Sequence, residues 1–371
     1  MRPEILDTTL REGEQTPGVS FTKEQKLEIA ALLDEFGVDF IEIGHPMVSQ
    51  DIREAAKLLT QQNFHAKTLA HCRAQIPDID AAIDVGADWI GIFFSITDKS
   101  LEQRFRRSEE QATELIVKAI DYAKQHGLKV RYTPEDTVRS DFDKVVRVSR
   151  AAIQAGADRI SVADTAGIMT PLKMYNFIRN LRKNINVPIN IHCHNDLGMA
   201  TANSLAAIEA GAALVDVTIN GLGERTGIAP LAEVCTALKL AYKNETNWKT
   251  QMLPKMSEVV ERYSGIQVSK QAPIVGRNAF SHNAGLHVSA VLLDPGHYES
   301  IPCEMVGRKR DIVIDKMASK EAVRYKTQML GFQLNDEQIV ELWQGIKTNG
   351  SNIIDNDTLK QMASSIVKKS G

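Results

Sequence analysis

Cysteine is scarce in this 371-residue chain. The four residues Cys72, Cys193, Cys235 and Cys303 are widely scattered and form no Cys-x-x-Cys pair. Nothing points to a disulfide framework, and a reducing cytoplasm is the expected setting. Long apolar runs are missing as well: no stretch approaches the about 20 residues that a membrane-spanning helix needs. The start, Met1-Arg-Pro-Glu-Ile-Leu-Asp7, leads straight into a strand-like run and lacks the apolar region of a signal peptide. Charge of one sign is not in excess either. The 44 Lys and Arg against 47 Asp and Glu leave a formal −3, which argues against a broad nucleic-acid or membrane footprint. What is present is a 43% hydrophobic, 25% charged composition, enough for a sizeable soluble core.

Short β-rich apolar runs alternate with amphipathic segments from the N-terminus onward. The strand-like runs are 4–9, 40–44, 66–71, 89–95, 129–135, 159–164, 188–194 and 214–220. Helical periodicity covers 23–36, 109–126, 140–155 and 171–183 among the intervening segments. Several helices end in similar turns, Phe36-Gly37-Val38-Asp39, Val85-Gly86-Ala87-Asp88 and Ala155-Gly156-Ala157-Asp158, where glycine supplies a left-handed cap. Eight strand–helix units in about 240 residues predict an α/β fold, a (β/α)8 TIM barrel over 1–245. A doubly wound open sheet is the structural competitor. The remainder, 246–371, reads as a small, mostly helical C-terminal subdomain with its linker.

Chemistry in such a barrel belongs at the C-terminal ends of the strands. Strand seven ends in Asn190-Ile-His192-Cys-His194-Asn-Asp196, and residues two apart on a strand face one way. His192 and His194 therefore supply half of a divalent-metal site, or are simply hydrogen-bonded histidines at a strand end. Strand one ends in Asp7-Thr-Thr-Leu-Arg11-Glu-Gly-Glu-Gln15. Alternation puts Asp7, Thr9 and Arg11 on one face, so Asp7 is expected to complete the ligand set. On strand five, Arg131, Thr133 and Glu135 share a side, with an Arg131–Glu135 ion pair as the plain structural alternative.

Those two motifs, together with Asn220-Gly-Leu-Gly-Glu-Arg-Thr-Gly227, resemble the isopropylmalate/homocitrate synthase family through about residue 332. The resemblance implies a TIM barrel with a small subdomain that condenses acetyl-CoA with a 2-oxo acid. It implies one divalent ion, Mg2+, Mn2+ or Zn2+, on Asp7, His192 and His194, with Arg11 against the ketone. Glu135 matches the family's acid–base glutamate, and His287 and Tyr298 match catalytic groups of the subdomain. Contacts to the oxo acid fall on Gln15, His71, Arg131, Thr133 and Thr165. The loop with Gly221, Gly223, Glu224 and Arg225 is implied to lie near acyl-CoA. In the family the subdomain groups serve the neighbouring subunit, so a homodimer is expected.

The identity of the oxo acid turns on the wall opposite the metal. A dicarboxylic substrate needs a cation there and a branched aliphatic one an apolar pocket. His71 and Arg131 match positions that homocitrate synthases use for 2-oxoglutarate, which is the expectation adopted. Asn190 stands where those enzymes tend to have glutamate, and Asn195–Asn203 looks more like isopropylmalate synthase. Gly44-His45-Pro46 is unusual for both. The alternatives are therefore 2-oxoisovalerate or pyruvate as substrate. A hydroxymethylglutaryl-CoA lyase is disfavoured because Gly221–Gly227 holds no cysteine. A barrel that binds a metabolite without turnover is the non-enzymatic reading.

Overall fold

The computed structural model describes residues 2–242, 246–348 and 353–369. Eight parallel strands close into one barrel in sequence order, β8 pairing back onto β1. They are β1 (Glu4–Asp7), β2 (Phe40–Glu42), β3 (Lys67–Arg73), β4 (Trp89–Ser95), β5 (Lys129–Glu135), β6 (Arg159–Asp164), β7 (Ile189–Cys193) and β8 (Leu214–Val217). A helix follows each strand: α1 (Lys23–Phe36), α2 (Gln50–Thr60), α3 (Ile76–Val85), α4 (Glu109–Gln125), α5 (Phe142–Gln154), α6 (Pro171–Arg182), α7 (Ala200–Glu209) and α8 (Leu231–Ala241). Local sequence explains their ends. In α1, Thr22 accepts from the Gln25 N–H while the Gln25 side chain accepts from the Thr22 N–H, a reciprocal cap. The helix stops at Gly37, whose φ of 101° suits a residue without Cβ.

The inward faces follow the two-residue period of a strand. Leu6, Phe40, Leu69 and Leu214 form a buried cluster with Trp89 packed against it. Arg159 covers Phe40 and Trp89 at 4.9 and 4.8 Å and pairs with Glu4 at 2.7 Å. Two residues onward along the same strands stand Glu42, His71, Ser161 and Asp216. The barrel interior thus changes from apolar to polar within one pleat repeat, toward the end where the helices begin.

Four strands, β1, β2, β7 and β8, are shorter than their apolar runs predict, and β1 matters most. It ends at Asp7 because the Thr8 carbonyl accepts from the N–H groups of Arg11, Glu12 and Gly13 at 3.0, 2.7 and 3.3 Å. The chain winds into a turn there, and strand alternation stops.

The chain divides into two compact units, Met1–Gln267 and Val268–Gly371. The boundary expected after residue 245 falls at residues 243–245, outside the described ones, and the actual division comes later. Helix α9 (Leu253–Ser264) belongs to the barrel unit: the Asn220 amide donates to the Ser257 carbonyl at 2.9 Å, and Tyr263 donates to Glu28. The second unit contains α10 (Gly285–Leu293), α11 (Lys320–Met329), α12 (Asp336–Thr348) and α13 (Asn356–Lys369), with a short parallel pair, β9 (Ser281–His282) and β10 (Asp311–Ile312). Val288, Ile312, Val323, Leu342 and Leu359 build its own core. All four cysteines are free and buried. No helix among the described residues is long and apolar enough to cross a membrane.

Candidate active site

The turn after β1 carries Arg11 and Glu12 toward β7. Glu12 lies 4.0 Å from the Nε2 atoms of both His192 and His194, which are 3.3 Å from each other. All three side chains are buried, and their ligand atoms lie within 4.8 Å of one another. His192 Nδ1 meets Asp216 Oδ2 at 3.0 Å. Donation to that carboxylate leaves the Nε2 lone pair for a cation, as second-shell acids do in metal sites. Burial, helped by His192, lowers the pKa of His194 to about 4, so its ring is neutral at pH 7. Burial pushes Glu12 up, but Arg11, His192 and His194 outweigh it and bring the carboxyl to about 2. Two imidazole nitrogens and an ionised carboxylate fit one divalent cation.

Asp7 is absent from this group, which corrects the expected ligand set. Its Oδ1 accepts from the Thr9 N–H at 2.8 Å, and its buried Oδ2 has no partner among the described residues. Burial raises its pKa to about 7. The alternation that assigned Asp7, Thr9 and Arg11 to one face requires a strand, and the strand has ended. Glu12 takes the place instead, on the turn.

Around the group runs a buried charge network. Arg11 Nε donates to Glu42 at 2.8 Å and its Nη1 to Glu12. Burial lowers the Arg11 pKa, yet Glu42 and Glu12 more than offset it and leave it raised. Arg131 does not pair with Glu135. Its Nη2 donates to Glu42 and its Nη1 to Asp216, each at 3.3 Å, and its buried Nε has no partner among the described residues. Glu42 also meets His71 Nδ1 at 3.2 Å. Burial works to raise the Glu42 carboxyl, but Arg11, His71 and Arg131 hold it well below the ordinary range. Asn190 donates to Asp216 at 2.9 Å and to Ser161 at 3.2 Å. Two guanidiniums face three carboxylates, and a bound cation would offset the surplus negative charge.

Arg11, Glu12, His71, Arg131, His192, His194 and Asp216 line a cavity of about 360 Å³ together with Gln15, His45, Phe93, Arg104, Thr133, Glu135 and Thr165. With its nitrogen turned to the carboxylate, the Gln15 amide donates to both Glu12 oxygens at 3.0 and 3.2 Å. Glu135 pairs with Arg104 at 2.7 Å, and Thr165 Oγ1 accepts from the Asp136 N–H at 3.0 Å. The glycine-containing loop closes the β8 side. Gly221 and Gly223 both have positive φ, the Gly223 N–H donates to Thr16 and the Glu224 N–H to Glu12 at 2.9 Å. Arg225 is held by Asp196 at 2.8 Å and by the Thr165 carbonyl at 2.7 Å. In the second unit, His287 stacks on Tyr298 with ring centroids 4.1 Å apart, and His282 meets Glu299 at 3.0 Å.

Sequence reasoning missed Glu12, Glu42, Asp216, His45, Phe93 and Arg104. Glu42 and Asp216 carried a readable signal: each is an acid two positions after an inward apolar residue on an otherwise apolar strand. Glu12 offered none without the turn geometry.

Residues 2–260 match the family described as HMGL-like, and residues 274–352 match the family described as homocitrate synthase post-HMGL domain-like. A homocitrate synthase of Pyrococcus abyssi is 51% identical over 329 residues, covering 89% of this chain and 91% of that protein. A probable 2-isopropylmalate synthase of Methanopyrus kandleri is 44% identical over 349 residues, covering 94% and 70%. Among solved structures, an HMG-CoA lyase from Brucella melitensis aligns with a TM-score of 0.63 at 20% identity, over 71% of this chain and 99% of that one. At that identity the structural likeness speaks to the fold alone.

Proposed function

The chain belongs to the HMGL-like family, and on that premise we propose that it condenses acetyl-CoA with 2-oxoglutarate to give homocitrate and CoA. The observation that carries the reading is the buried Glu12–His192–His194 group at the barrel mouth with Arg11 beside it. A divalent ion, Mg2+, Mn2+ or Zn2+, on those three residues would polarise the ketone as a Lewis acid. Arg11, fixed by Glu42 and Glu12, is proposed to donate to the same carbonyl and offset the developing alkoxide. The acetyl methyl is a weak carbon acid, so a positioned base must take its proton before the carbon–carbon bond forms. Glu135 is proposed for this acid–base work, with His287 and Tyr298 of the neighbouring subunit in a cytoplasmic homodimer. Their resemblance to the family's subdomain motif and their mutual stacking support that assignment. Water then cleaves the thioester and releases CoA, which makes the reaction run forward. The loop from Gly221 to Arg225 is proposed to border the acyl-CoA.

The substrate assignment is supported by the Pyrococcus relative, which aligns over about nine-tenths of both chains. One observation favours the second reading, 2-oxoisovalerate: both Nη atoms of Arg131 already hold carboxylates. CoA release from acetyl-CoA with 2-oxoglutarate, 2-oxoisovalerate and pyruvate decides between them. The expected result is the highest kcat/KM with 2-oxoglutarate, lost on chelation and restored by a divalent ion. If no oxo acid releases CoA under any metal condition, the enzymatic reading fails and a metabolite-binding barrel is left.

A further inference from the structure

Arg225, on the loop after β8, stands in the left-handed backbone region with φ 57°. That region is costly for a residue with a Cβ and persists only where the surroundings fix it. Three hydrogen bonds fix this one. Nε and Nη2 donate to Asp196 Oδ1 and Oδ2 at 2.8 and 2.9 Å, a two-point fork, and Nη2 also donates to the Thr165 carbonyl at 2.7 Å. Strain held in place by neighbours is characteristic of functional segments rather than of plain turns.

Both ends of this bridge lead to the Glu12–His192–His194 group. Asp196 is two residues past His194, on the segment leaving β7. Arg225 follows Glu224, whose N–H donates to Glu12 Oε1 at 2.9 Å. The carboxylate on the β1 turn is thus fastened, through one loop tip, to the segment that carries a histidine of β7. The loop can transmit this because it is tight. Its Gly227 N–H donates to the Glu224 carbonyl at 3.0 Å. A Cβ on Gly227 would fall 1.7 Å from the Gly221 carbonyl oxygen, and one on Gly223 would lie 3.0 Å from Glu12 Oε1. The backbone ties to β7 are the Asn195 N–H on the Gly227 carbonyl at 2.9 Å and the His194–Ile228 bridge. They hold the foot of the loop, and the Glu224 tip is left to Arg225.

We infer that Arg225 is a positioning residue of the metal centre, setting through the Glu224 N–H where Glu12 stands relative to His194. The inference rests on the proposed metal group and names what holds its span. Charge alone predicts the opposite result. Arg225 lines the same cavity as the three ligands, so its guanidinium opposes a second cation. Removing it, with Asp196 left unpaired, should tighten metal binding on Coulombic grounds. Loss of positioning should weaken it.

The test titrates Mn2+ into the chelator-stripped full chain and reads the free ion by electron paramagnetic resonance, with thermal melting of each apoprotein. For Arg225→Ala the Mn2+ Kd should rise about 10–100-fold, the range seen when groups that orient metal ligands are removed. Arg225→Lys keeps the charge without the fork. It should fall between alanine and wild type, and it decides the matter if the alanine variant does not fold. In an Asp196→Asn background, Arg225→Ala should cost much less, because the bridge is already cut. At saturating Mn2+ the KM for acetyl-CoA should be unchanged in Arg225→Ala. An unchanged or lower Mn2+ Kd, an equal cost in both backgrounds, or a raised acetyl-CoA KM with intact Mn2+ binding would overturn the assignment. A wild-type protein that binds no Mn2+ sinks the metal group together with this inference. Wild-type binding that the Arg225 variants leave intact sinks only the inference.

Discussion

Glu12 and Asp7 are both buried carboxyl groups of the same short segment, and their partners decide their chemistry. Glu12 accepts from Arg11 and from the Glu224 N–H, and its pKa falls to about 2. Asp7 has one N–H donor against full burial, and its pKa rises to about 7. Glu12→Gln keeps the shape and removes the charge, so metal content after dialysis should drop and CoA release should fall at least about 100-fold, beyond the range of second-shell changes. A variant that retains stoichiometric metal and full turnover would remove Glu12 from the ligand set. Arg131 offers a second residue-scale prediction. A Cβ on Gly91 would lie 2.9 Å from Arg131 Nη2 and 3.1 Å from Leu69 Cδ2. Gly91→Ala must therefore displace a guanidinium that two buried carboxylates hold. It should cost about 1–3 kcal/mol in denaturant unfolding and raise the KM for the oxo acid; a stable variant with unchanged KM would contradict the packing argument.

At the scale of elements, short irregular pieces do the positioning. The Thr8-centred turn ends β1 and delivers Arg11 and Glu12. A single turn of π-helix, Ser100–Phe105, delivers Arg104 to Glu135, a use typical of such turns at functional sites. The regular helices are set by their caps instead. Thr22→Ala removes the reciprocal cap of α1, with an expected loss of about 1 kcal/mol and a Tm lower by about 2–4 °C for a unit of this size. Scanning calorimetry would measure it, and no shift would mean that α1 is held by packing alone.

For the whole molecule, two buried groups give stability opposing dependences on pH. The folded Asp7 pKa of about 7 lies above its ordinary 3.8, so between those values the folded chain holds a proton that the unfolded chain has released. Its contribution is lost as pH rises through that window. His71, lowered from 6.5 to about 4, acts the other way: its contribution is lost as pH falls from 6.5 toward 4. Each pH unit between folded and unfolded values corresponds to about 1.4 kcal/mol, so each group matters by a few kcal/mol. Asp7→Asn should gain stability over wild type from pH 5 to about pH 7 and level off above it in urea melts. A constant difference across that range would show that Asp7 does not titrate as its burial implies.

Periodicity and turn residues are local properties, so the sequence by itself determined the eight strands, their inward faces and the shared side of His192 and His194. The left-handed cap at Gly37 was equally readable, because it depends only on neighbouring residues. Three things were decided only by the tertiary structure. The hydrogen bonds at the Thr8 carbonyl ended β1 early and exchanged Glu12 for Asp7. Ring closure brought Arg131 of β5 to Glu42 of β2 and Asp216 of β8 rather than to Glu135 on its own strand. The ties from α9 to Asn220 and Glu28 kept that helix in the barrel unit, beyond the boundary that composition indicated. In the last two cases the deciding contact joins residues far apart in the chain. In the first, a local turn acquires its meaning only because the closed barrel sets β1 near β7, so that Glu12 reaches His192 and His194.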